Sequence, residues 1–139
     1  MRYAGLAILA ALVVAAGATA ATQKGRSLHA TLLGRSETPK GDPDGRGTAE
    51  VKFNGTKVCW EIKVSKVGTI VAAHIHKGKP GVAGPVVVPF GKTFHPKGCV
   101  ASTAAVVAAI QRSPGAYYVN VHNAKYPAGA LRGQLVSDG

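Results

Sequence analysis

Two histidine segments carry the chemistry open to this 139-residue chain: Ala73-His74-Ile75-His76-Lys77-Gly78 and, some forty residues on, Tyr117-Tyr118-Val119-Asn120-Val121-His122-Asn123. Both lie in runs that read as β-strands, where successive side chains alternate faces. His74 and His76 therefore share one face, while Ala73 and Ile75 take the other. On the second run, Tyr118, Asn120 and His122 fall together, opposite Tyr117, Val119 and Val121. If the two strands are neighbours, three imidazoles converge. Such a set suits Cu(II), Zn(II) or Ni(II), and with an open coordination position it is compatible with redox or hydrolytic chemistry. The bland alternative stays open: single histidines near strand ends commonly hydrogen-bond to loop backbone and bind nothing.

Fewer arguments attach to the remaining polar residues. His29 alternates with Leu28 and Ala30 on a strand and His95 sits in a lysine-flanked loop, so both are expected to be solvated. Glu37, an isolated acid beside Thr38-Pro39, is placed to hold a long loop by accepting backbone N–H bonds or pairing with Arg132. Arg132 lies among glycines that let another backbone approach closely. Two roles are open to it: a structural ion pair with Glu37 or Glu61, or an anion guide beside a metal. No Ser-His-Asp or Cys-His grouping is suggested, and Asp42 and Asp44 share a loop without a partner for acid–base work. Gly78-Lys79-Pro80-Gly81 lacks the spacing of a phosphate-binding loop. Trp60, Tyr117 and Val119 are core candidates before they are ligand platforms.

The elements that must position these residues are short apolar-alternating segments separated by glycine, proline and asparagine. Strands are expected over Ser27–Leu33, Gly47–Phe53, Val58–Val64, Thr69–His76, Pro85–Pro89, Gly98–Val100, Tyr117–His122 and Ala130–Val136. Asn54-Gly55 is a strong hairpin signal, since both residues tolerate positive φ. One helix is expected over Thr103–Gln111, capped by Ser102 and stopped at Ser113-Pro114-Gly115. Many short strands with one short helix indicate an all-β fold: a Greek-key or immunoglobulin-like β-sandwich or barrel.

At its start the chain has Arg2, an uncharged apolar run from Leu6 to Ala16, and Ala18-Thr19-Ala20 as a small-x-small cleavage site. This is the pattern of a secretory signal peptide over residues 1–20. Periplasmic or secreted localisation follows, with no integral membrane segment after cleavage. From Ala21 onward, sixteen basic and six acidic side chains give a formal +10. The cations are scattered, and aromatics do not interleave with them as a base-stacking platform requires, so nucleic acid is not the expected partner. Weak attraction to anionic envelope polymers fits better, and so does solubility alone. Cys59 and Cys99, an isolated pair in an oxidising compartment, are expected to form a disulfide that contributes about 2–5 kcal/mol.

Taken in order, these residues resemble a known family. Leu33-Gly34 with Glu37 and Pro39, Gly47-Thr48-Ala49, Ala73-His74-Ile75-His76 with Gly78, Gly81 and Gly84, Tyr118-Val119-Asn120-Val121-His122, and Gly129-x-x-Arg132-Gly133-Gln134-Leu135 look like the CHRD domain. The resemblance covers residues 27–136 and implies an exported bacterial domain of unassigned activity. Growth-factor binding does not carry over, because in chordin it belongs to separate cysteine-rich modules. A fainter similarity is to copper/zinc superoxide dismutase, in which a strand His-x-His and a later strand His bind copper and a late arginine guides the anion. His74, His76, His122 and Arg132 follow that order, but no bridging histidine or zinc loop lies between His76 and His122. The expectation is therefore a non-enzymatic envelope binding or structural module with a mononuclear copper or zinc site at His74, His76 and His122. A superoxide-dismutase-like copper oxidoreductase and a binder of anionic envelope polymer are the alternatives, and a protein partner is also open.

Overall fold

The computed structural model describes residues 26–138, so the expected signal segment lies outside the described residues. Among the described residues nine strands form: β1 Ser27–Leu33, β2 Arg46–Asn54, β3 Lys57–Ser65, β4 Ala72–Lys77, β5 Val86–Pro89, β6 Lys97–Ala101, β7 Tyr117–His122, β8 Leu131–Gln134 and β9 Val136–Ser137. One α-helix, α1, spans Ala104–Arg112, and single 3-10 turns occupy Gly34–Ser36 and Pro114–Ala116. No helix among the described residues is long and apolar enough to cross a membrane.

All strand pairs are antiparallel, in the order β5-β4-β7-β8-β1-β2-β3-β6, and β9 adds to β1 beside β8. The sheet curls into a nearly closed barrel, as expected for an all-β chain with one helix. Period-2 alternation fills its interior with Leu28, Ala30 and Leu32 from β1, Ala49, Val51 and Phe53 from β2, Val58, Trp60 and Ile62 from β3, and Tyr117, Val119 and Val121 from β7. Trp60 on β3 stacks on Phe90, just after β5, with ring centroids 4.5 Å apart. That contact joins β3, next to the β6 end of the strand order, to the β5 end through the core. Val107 and Ile110 of α1 complete the apolar cluster.

Several boundaries differ from the sequence reading for local reasons. The hairpin turn between β2 and β3 is Gly55-Thr56, because Asn54 still pairs with Lys57 and only Gly55 takes positive φ. Thr103 rather than Ser102 caps α1, its hydroxyl accepting from the Val106 N–H at 3.2 Å. The expected strand Ala130–Val136 is two strands: β8 pairs with β7, then the chain breaks at buried Leu135 and β9 pairs with β1. Cys59 and Cys99 are directly opposed on β3 and β6 and form the expected disulfide.

The register brings two rows of polar residues together on the outer face of β4, β7 and β8. His74 lies opposite Asn120 and Asn120 opposite Arg132; His76 lies opposite Tyr118 and Tyr118 opposite Gln134. His122, opposite Ala72, extends the same face. Both faces of β7 are buried: one on the barrel core and one beneath loops, among them residues 78–85 and 123–130. A polar layer is thereby enclosed outside the apolar one.

Candidate metal centre

The three histidines of the sequence reading meet. Their ligand nitrogens lie within 4.8 Å of one another. His74 Nδ1 is 3.1 Å from His122 Nε2, close to the separation of about 3.3 Å between donors that share one metal ion with bonds of about 2.0–2.1 Å. The rings of His74 and His122 meet edge to face with centroids 4.9 Å apart, and His76 is 5.5 Å from His74.

Backbone carbonyls fix which nitrogens are available. His76 Nδ1 is 2.8 Å from Gly84 O, and His122 Nδ1 is 2.9 Å from Pro127 O. A carbonyl only accepts, so each Nδ1 donates and each Nε2 keeps its lone pair. This is the arrangement in which an outer-shell acceptor sets the tautomer and orientation of a metal-binding imidazole. His76 Nε2 is buried and has no hydrogen-bond partner. Gly84 is required for the first tether, because a side chain there would lie 1.6 Å from Lys77 O. The second rests on a turn in which Asn123 Oδ1 accepts from the Tyr126 N–H at 2.8 Å, just ahead of Pro127.

Electrostatics keep His74 and His76 neutral. Burial, followed by the neighbouring imidazoles of His122 and His76, pushes the His74 pKa down to about 4. Burial also lowers His76, against the opposing effect of its bond to Gly84. Both rings are thus uncharged at neutral pH, the form that binds metal.

Arg132 is 1 % exposed, and its guanidinium is committed to the protein. Nη1 donates to Val82 O at 2.7 Å, Nη2 to Lys79 O at 2.8 Å, and Nη2 and Nε reach Gln134 Oε1. Its carbon lies 3.4 Å over the Tyr118 ring, whose stacking with His76 has centroids 4.8 Å apart. The cation therefore clamps the 78–84 loop that carries Gly84 and is layered beneath His76 through Tyr118. Neither ion pair considered for Arg132 forms: Glu61 pairs with Lys63 and Lys97, and Glu37 attracts Arg132 without direct ion-pair contact. Burial raises the Glu37 pKa, against opposing bonds from Asn120 and the Thr38 N–H and the attraction of Arg132.

His29 and His95 lie elsewhere. His29 Nε2 meets Asp138 Oδ2 at 2.9 Å on the outside of β1, and His95 is exposed, its carbonyl accepting from Trp60 Nε1. The sequence reading gave no role to Asn120, although it shares the histidine face of β7; it is 1 % exposed with Oδ1 3.1 Å from His122 Nε2. Its period-2 position between Tyr118 and His122 was the available signal. The carbonyls of Gly84 and Pro127 have none, because a backbone acceptor is the same at every residue.

Comparison with known proteins yields no matching curated protein and no matching solved structure. The family model of the CHRD domain matches residues 28–135, from β1 through the break after β8, and takes in every residue of the histidine centre and its tethers. The chain belongs to the CHRD domain family.

Proposed function

We propose that this CHRD-domain chain is an exported, non-enzymatic binding module of the cell envelope whose ligand is a single late first-row metal ion, copper or zinc, held by His74, His76 and His122. The observation that carries the reading is the buried, unpartnered Nε2 of His76, presented beside His122 Nε2 and His74 Nδ1, with the His76 and His122 rings each tethered through Nδ1. A buried polar atom without a partner costs about 1–3 kcal/mol, and coordination removes that cost. Three imidazoles favour copper and zinc over the oxygen-seeking ions magnesium and calcium. Export rests on the signal-like start of the sequence and on the disulfide, a bond that persists in oxidising compartments.

A superoxide-dismutase-like reaction gains nothing from Arg132, whose donors are committed to loop carbonyls and Gln134. Attraction to anionic polymer through the scattered lysines is compatible with the module and independent of the histidines.

The test is the metal content of protein expressed with its leader and purified from the periplasm without chelator, measured by inductively coupled plasma mass spectrometry. Near-stoichiometric copper or zinc that is lost in a His74→Ala/His76→Ala variant is expected. Protein that carries no metal and takes up none from added copper or zinc would sink the reading.

A further inference from the structure

Among the described residues, two buried side-chain polar atoms have no hydrogen-bond partner: His76 Nε2 and Glu37 Oε1. They flank one residue, Asn120. Its amide, as a donor, is the neighbour that opposes the rise of the Glu37 pKa, and its place opposite His74 in the β4–β7 register sets it beside the histidines. Its Oδ1 lies 3.1 Å from His122 Nε2, the same distance that separates His122 Nε2 from His74 Nδ1. With its Nδ1 proton directed at Pro127 O, His122 Nε2 is an acceptor facing a second acceptor. Two lone-pair atoms at this distance repel unless a cation lies between them. The opposite amide orientation would resolve that repulsion but would turn Oδ1 onto the Glu37 carboxylate.

We infer that Asn120 completes the centre as an oxygen donor to the metal, and that Glu37 is the positioning residue that holds its amide in the donating orientation. The inference rests on the metal-binding reading and specifies the ligand set: three imidazole nitrogens and one amide oxygen. Such a set is harder than three imidazoles alone and suits Cu(II) or Zn(II) in preference to Cu(I), which favours thiolate and thioether. It also accounts for a carboxyl group buried in a basic chain without an ion-pair contact. Gly129, whose would-be Cβ lies 2.3 Å from Glu37 Oε1, leaves the space in which that carboxyl sits.

The experiment loads the purified chain and variants with Cu(II), records electron paramagnetic resonance spectra, and measures affinity by competition with a chelator. His122→Ala is the control for the centre as a whole. Asn120→Ala is expected to bind Cu(II) about 10–100-fold more weakly and with g and hyperfine values displaced from wild type. Glu37→Leu, which fills the same space without an acceptor, is expected to reproduce the Asn120→Ala spectrum, and Glu37→Gln to restore it. If Asn120→Ala shows the wild-type spectrum and affinity while His122→Ala loses the metal, Asn120 is no ligand and the three-histidine reading stands alone. If Asn120→Ala is displaced but folded Glu37→Leu is not, the role given to Glu37 is overturned. Failure of the wild-type chain to bind Cu(II) and Zn(II) overturns both readings together.

Discussion

His122 is held by one ring nitrogen and presented by the other, and the same division recurs at His76. Each tether fixes a tautomer without adding charge, so the lone pairs are arranged before any ligand arrives and little ordering is lost on binding. Desolvation reinforces this, and it gives a prediction that needs no metal. The His74 pKa falls from 6.5 to about 4 in the native protein, and that of His76 is lowered too. Between those values the unfolded chain binds more protons than the native one, so stability rises with pH through the window and is lost as pH falls through it. Urea unfolding of metal-free protein from pH 4 to 7 is expected to show that rise, with a shallower slope in His74→Gln. An equal slope in the two proteins would contradict the burial of His74 as its cause.

At the level of elements, the loop between β4 and β5 decides how well His76 is held. Arg132 grips Val82 and Lys79, while Gly84 gives its carbonyl to His76 and its N–H to the Tyr118 hydroxyl at 3.1 Å. Gly84→Ala must move backbone away from Lys77 O, and a drop of about 10–100-fold in copper affinity is expected from the disturbed tether. Gly81→Ala, in the same loop at φ 80° with open space around it, is expected to cost about 1 kcal/mol of stability and leave affinity unchanged. Titration calorimetry and thermal unfolding of the two variants distinguish a positional effect from general loosening of the loop. The disulfide belongs to another part of the sheet, tying edge strand β6 to β3. Replacing both cysteines by alanine is expected to lower stability by about 2–5 kcal/mol, read from the denaturant midpoint, without altering metal affinity; a joint loss would mean that the two ends of the sheet are coupled.

What the sequence made legible follows from the same elements. Alternation is a local property, so the shared face of His74 and His76, and that of Tyr118, Asn120 and His122, could be read from spacing alone. Their meeting could not, because β4 and β7 become neighbours only through a connection of some forty residues. Arg132 was legible as a residue of consequence, but its partners are carbonyls in a remote loop and an ion pair was the natural guess. The split between β8 and β9 was hidden for a similar reason: Leu135 looks like strand interior, and the change of pairing partner around it is decided by β1.

Taken whole, the molecule has two cores: an apolar one inside the barrel and a smaller polar one outside β4, β7 and β8, roofed by loops. The apolar core supplies rigidity, and the polar one tolerates buried, incompletely paired groups because that rigidity holds them in place. Among the described residues every lysine and arginine except Arg132 is exposed and stands apart from this arrangement; at an ionic strength of about 0.1 M the reach of such charges is about 10 Å. A metal that binds only the native state would add to stability in proportion to its concentration over Kd, about 2.7 kcal/mol at a hundredfold excess over Kd. The most direct test of the centre is a crystal of the copper- or zinc-loaded protein measured on either side of that metal's absorption edge. One anomalous peak about 2.0–2.1 Å from His74 Nδ1, His76 Nε2 and His122 Nε2 is the expected result. A map with no peak there, or with its metal at His29 and Asp138 or at His95, would contradict the assignment.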